Sequence, residues 1–155
     1  MKYVVFVLAM LAASLQLIQP TDVWAYNFGD YRSVTLTTKA WEALNNKDLD
    51  AVNTYVSKVL DMYGPQAKEM QGSLTEYAWE SKDKIFSYWA LNDVGTALFI
   101  KGKALADAGK KDEAKAAFKE LVDNYSFAQC WDPQGWFWKP AEAAQEALNN
   151  MTQTN

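Results

Sequence analysis

Residues 98–118 read Leu98-Phe99-Ile100-Lys101-Gly102-Lys103-Ala104-Leu105-Ala106-Asp107-Ala108-Gly109-Lys110-Lys111-Asp112-Glu113-Ala114-Lys115-Ala116-Ala117-Phe118. An apolar-rich segment with small residues runs into a polar break at Gly109-Lys110-Lys111-Asp112 and resumes as a second apolar pattern. Ala114, Ala117, Phe118, Leu121, Val122 and Tyr125 recur at the three-and-four spacing that lines one face of an α-helix. Gly109 suits the left-handed turn that ends a helix, and Asp112 places an acid at the positive start of the next one. Two antiparallel helices joined by a short loop follow, spanning about residues 85–125.

The same arrangement repeats upstream. Val52, Tyr55, Val56, Val59, Leu60 and Tyr63 form a helical stripe, preceded by the segment Lys39 to Leu44 and the break Asn45-Asn46-Lys47-Asp48. Here Asn45 and Asn46 are expected to end the first helix. This predicts a hairpin over about 33–63, stopped by Gly64-Pro65. The pattern weakens over 66–84, which reads as a loop or a short helix with a loop, with Ser73-x-x-Glu76 as a capping-box match. Pro140 opens a last helix, 140–151, with Ala144, Ala147, Leu148 and Met151 on one face, and the tail beyond it is expected to fray. Strand signals are sparse, so the fold class is all-α.

Composition narrows the chemistry. The 155 residues are 50 % apolar and carry 15 Lys and Arg against 19 Asp and Glu, with one Cys and no His. Without His, imidazole bases and the metal sites built on them are out of reach. One Cys cannot build a disulfide framework or a thiolate cluster. A net charge of −4 argues against nucleic acid as a partner. No phosphate-binding glycine loop or calcium loop occurs, so no cofactor and no metal are expected.

The start of the chain reads as an export signal: Met1-Lys2, then the 15-residue apolar run Val4 to Ile18, then a polar stretch ending Val23-Trp24-Ala25. The run falls short of the roughly 20 residues of a spanning helix. Cleavage after Ala25 leaves one domain, 26–155, with no membrane span, in the periplasm or outside the cell. In that setting Cys130 is either a buried inert thiol, the favoured reading beside Phe127, Trp131 and Trp136, or a cross-link between copies.

The residues Leu98, Gly102, Gly109, Ala114 and Phe118, at their spacing in this chain, resemble a tetratricopeptide repeat, a helical hairpin of about 34 residues. Gly102 and Ala114 fall where two helices cross closely, with Phe118 beside them. The earlier hairpin is a degenerate match: Ala51 and Tyr55 fit the second helix, whereas Thr38 and Lys39 stand where apolar and small residues are expected. Together the two cover about half of the chain after the signal. The resemblance implies a concave surface for a protein or peptide partner, and a scaffold rather than an enzyme. Two hairpins are fewer than the roughly three that a stable stack needs, so the segment Phe127 to Trp138 and the last helix are expected to cap it. Asp132-Pro133-Gln134-Gly135 reads as a β-turn within that segment.

Two sets of site residues follow. Tyr88, Asn92, Thr96 and Lys103, about one helical turn apart, form the expected partner groove, and replacing Asn92 and Thr96 is expected to weaken capture without loss of stability. Trp131, Trp136 and Trp138 form either an internal plug, the favoured reading, or a surface for sugar rings or a partner peptide. A hydrolase pair among Glu76, Glu80 and Asp83 is the weakest reading, since a solvated loop explains a charged run equally well. The lysines at 101, 103, 110, 111, 115 and 119 alternate with acids and read as a mixed, solvated face. A second copy of the chain is an alternative partner.

Overall fold

The structure, a computed structural model, describes residues 26–153; the expected signal segment and its cleavage point lie outside the described residues. Helix accounts for 70 % of it. In chain order the elements are α1 (Ser33–Asn45), α2 (Leu49–Gly72), α3 (Lys82–Ser87), α4 (Trp89–Asp107), α5 (Lys111–Asn124), β1 (Cys130–Asp132), β2 (Trp136–Trp138) and α6 (Pro140–Gln153). Among the described residues no helix is long and apolar enough to cross a membrane.

The centre is α4. Its Leu91, Val94, Ala97, Leu98, Ile100 and Leu105 are buried, and it packs against α1, α2, α5 and α6. A helix apolar on nearly all sides must be enclosed on all sides. The others each offer it one stripe: Leu36 and Ala40 from α1, Val52, Val56 and Val59 from α2, Ala117, Phe118 and Leu121 from α5, Ala141 and Ala144 from α6. Each large aliphatic side chain so covered contributes about 1.5–3 kcal/mol. The closest approach is at Gly102, where a Cβ would stand 2.3 Å from the Phe118 ring, so only a glycine admits that ring.

Both hairpin turns are Schellman closures. At the α4 end Gly109 takes φ +76°, the Lys110 amide donates to the Leu105 carbonyl and the Gly109 amide to that of Ala106. At the α1 end the left-handed residue is Lys47, φ 57°, with Asp48 donating to Ala43 and Lys47 to Leu44. Asn45 and Asn46 do not fill that role. Asp48 then caps α2, its carboxylate accepting the Ala51 amide at 3.0 Å.

Several boundaries differ from expectation. The second helix does not stop at Gly64-Pro65: α2 runs through to Gly72. Gly64, lacking a Cβ, relieves the clash that proline imposes on the residue before it. The far end of the helix is tied down by tertiary bonds, Gln71 donating to Ser126 Oγ at 3.1 Å and accepting the Phe127 amide at 3.0 Å. Ser73 closes α2, its hydroxyl donating to the Met70 carbonyl, and starts no helix. The start of the following helical segment is Ser81, which accepts the Lys84 amide, and the segment breaks at Tyr88 into α3 and α4. Residues 130–138 form a small antiparallel hairpin pairing Cys130 with Trp138, where no strand was expected. Its turn is the expected one, the Gly135 amide donating to the Asp132 carbonyl at 2.9 Å.

Candidate functional site

Five elements leave a gap where they meet. The first turn of α1, Tyr63 of α2, Phe86 of α3, the Trp89–Thr96 half of α4 and the start of β1 enclose a cleft of about 700 Å³, walled by Tyr63, Phe86, Trp89 and Trp131 and floored by Asn92, Asp93, Thr96, Gln129 and Cys130. Phe86 and Trp89 remain 45 % and 40 % exposed. The rings brace one another: Tyr63 meets Trp89 edge-on at 5.5 Å, and Phe86 meets Trp131 at 6.3 Å. Phe137 backs both Phe86 and Trp131, at 5.4 and 4.9 Å. Ordered aromatic area is thus held open to solvent, which costs free energy that a packed core would have recovered.

The neutral part of the floor is already satisfied. Asn92 donates to the Ile85 carbonyl at 2.9 Å and accepts the Gln129 amide at 2.9 Å, so it ties the end of α3 to the approach of β1. Thr96 donates to the Asn92 carbonyl, and the Gln129 side chain donates to the Ala78 carbonyl at 2.7 Å. Among the described residues no buried side-chain nitrogen or oxygen lacks a partner.

Asp93 stands apart. Its carboxylate accepts one hydrogen bond, from the Ser33 hydroxyl in the first turn of α1, and burial pushes its pKa above the usual carboxylate value, the Ser33 bond opposing. The ion pairs among the described residues are Lys110–Glu113, Lys119–Asp123 and Lys139–Glu142, all elsewhere. Arg32 at the rim forms an ion pair with neither Asp30 nor Asp93; its backbone amide donates to Asp30 Oδ1 at 3.1 Å. The Cys130 thiol is partly buried, and that burial pushes its pKa up, away from a nucleophilic thiolate.

The two sets of residues singled out in the sequence meet here in part. Asn92, Thr96 and Trp131 line this cleft; Tyr88, Lys103, Trp136 and Trp138 do not. Asn92 and Thr96 are 8 % and 2 % exposed and bonded internally, so they position the floor and present little to a partner. Tyr88 packs against the core under the Lys84 ammonium, and Lys103 is solvated. Trp138 is partly buried, edge-on to Phe99 at 5.0 Å and against Trp41 at 6.5 Å, whereas Trp136 at the hairpin is 49 % exposed. Glu76, Glu80 and Asp83 are exposed, and none lines the cleft. Sequence reasoning missed Tyr63, Phe86, Trp89 and Asp93. Asp93 had a signal: it is the one acid in the apolar run Ala90 to Ile100.

No protein-family model matches the chain, and no curated protein or solved structure does either.

Proposed function

We propose that this protein is a non-catalytic binding module, exported to the periplasm or beyond, that seats a segment of a partner protein in the aromatic cleft. A tetratricopeptide-like stack is the scaffold. Supporting that scaffold are the successive packing of α1 on α2, α2 on α4, α4 on α5 and α5 on α6, and the Gly102–Phe118 crossing. In this reading α6 and the plug Trp138 close the end of the stack, the role a third unit otherwise takes.

The observation that carries the function is the cleft itself: four braced rings, two of them Phe86 and Trp89, left open around 700 Å³. Rigid aromatic anchors in a concave site are the commonest source of binding energy at protein interfaces. The test is a random peptide library panned on immobilised protein beside a glycan array. Enrichment of peptides that Trp89→Ala loses, by tenfold or more in Kd, supports the reading. Glycan binding that Trp136→Ala or Trp131→Ala abolishes, with no peptide enriched, replaces it with sugar recognition through the hairpin.

A further inference from the structure

We propose that the cleft receives a basic side chain, lysine or arginine, of the partner segment, its charge meeting Asp93 and its aliphatic stem lying against Trp89, Phe86 and Trp131. This rests on the peptide-seating reading and adds the chemistry of the residue that enters.

Charge complementarity selects the occupant. Asp93 is the only carboxylate lining the cleft, and among the described residues it has no cationic partner and a single hydrogen bond. A neutral polar ligand would find the rest of the floor occupied, because Asn92, Thr96 and Gln129 spend their polar groups on backbone partners. An apolar occupant would strip water from Asp93 and give nothing back, which is unfavourable for a carboxylate. A cation supplies the missing partner. The walls favour the same charge, since ring faces attract ammonium and guanidinium groups. The protein already displays that affinity at one of these rings, where the Lys82 ammonium sits 3.9 Å from the Trp131 ring centroid. A net charge of −4 draws basic partners rather than acidic ones.

Calorimetric titration of the purified protein with acetyl-Ala-Ala-Xaa-Ala-Ala-amide, Xaa being lysine, arginine or norleucine, tests this without any variant. The lysine or arginine peptide is expected to bind at least about tenfold more tightly than the norleucine peptide, the loss that one charge-assisted hydrogen bond represents. Asp93→Asn, which keeps an acceptor for Ser33 and removes the charge, is expected to erase that preference, weakening the lysine and arginine peptides and relieving the desolvation that the norleucine peptide meets at the carboxylate. Equal binding of all three peptides overturns the cation and leaves peptide seating standing. Binding of none of them overturns both. Butylamine binding as tightly as the lysine peptide overturns the partner segment as the source and makes the site one for a free amine.

Discussion

The two halves of α4 are built from the same helix and serve opposite ends. From Leu98 to Leu105 the buried face is apolar or absent, and its one unusual residue, Gly102, exists to let Phe118 in. From Trp89 to Thr96 the same helix buries Asn92 and Thr96, carries Asp93 and leaves Trp89 in solvent. The first half is packed for stability, whereas the second gives up stability to keep a polar, open cleft. Natural proteins concentrate such concessions where they bind something.

The largest expected effect lies in the packed half. Phe118→Ala removes a ring that is 1 % exposed and is expected to cost about 3–5 kcal/mol, read by denaturant unfolding. Gly102→Ala places a methyl 2.3 Å from that ring and is expected to cost about 1–3 kcal/mol. The double variant is expected to lose less than the sum, because the vacated ring makes room for the methyl. Strict additivity would mean that the two residues do not meet.

In the other half, Asn92→Ala leaves the Gln129 amide without its partner and removes one of two donors to the Ile85 carbonyl, which keeps the Tyr88 amide at 3.2 Å. The orphaned buried amide costs about 1–3 kcal/mol, so the melting temperature falls, contrary to the expectation that Asn92 serves a partner and not the fold. A stable variant with weakened peptide binding would restore Asn92 as a contact residue.

How much of this was legible depended on which half one reads. The packed half announces itself: Gly109 marks its turn and Gly102, Ala114 and Phe118 mark the crossing, each by local spacing. The first hairpin hid its turn because Lys47, not an asparagine, takes the left-handed conformation. Lys47→Gly is accordingly expected to raise stability by about 1 kcal/mol, measured by thermal unfolding. Pro65 hid the length of α2, since the bonds from Gln71 to Ser126 and Phe127 that hold its end come from residues far along the chain. The cleft was hidden for the same reason: Tyr63, Phe86, Trp89 and Trp131 belong to four separate segments, and no spacing rule joins them. Asn92 and Thr96 were visible singly by helical spacing and Trp131 as part of an aromatic cluster, whereas Asp93 carried a signal, an acid in an apolar run, that went unread.

The smallest expected effect tells the two halves apart most directly, because only the open half contains a charge that folding disfavours. Ser33 and Arg32 face Asp93 from the start of α1, and Cys130 faces it from β1; none is a cation paired with it. Its folded pKa is raised, so the folded chain holds the proton more tightly than the unfolded chain, whose value is near 3.8. The Asp93 contribution to stability is therefore greatest in acid and declines as pH rises from the unfolded value through the folded one, then levels off. Asp93→Asn lacks this penalty. Its melting temperature is expected to match wild type in acid, to exceed it increasingly across the mildly acidic range, and to keep a constant lead at neutral pH. A saturating lysine peptide should shrink that lead, since it gives the carboxylate the partner that the fold withholds. A variant that falls below wild type as pH rises would mean that Asp93 is already paired within the protein, and the two halves of α4 would then differ in composition without differing in purpose.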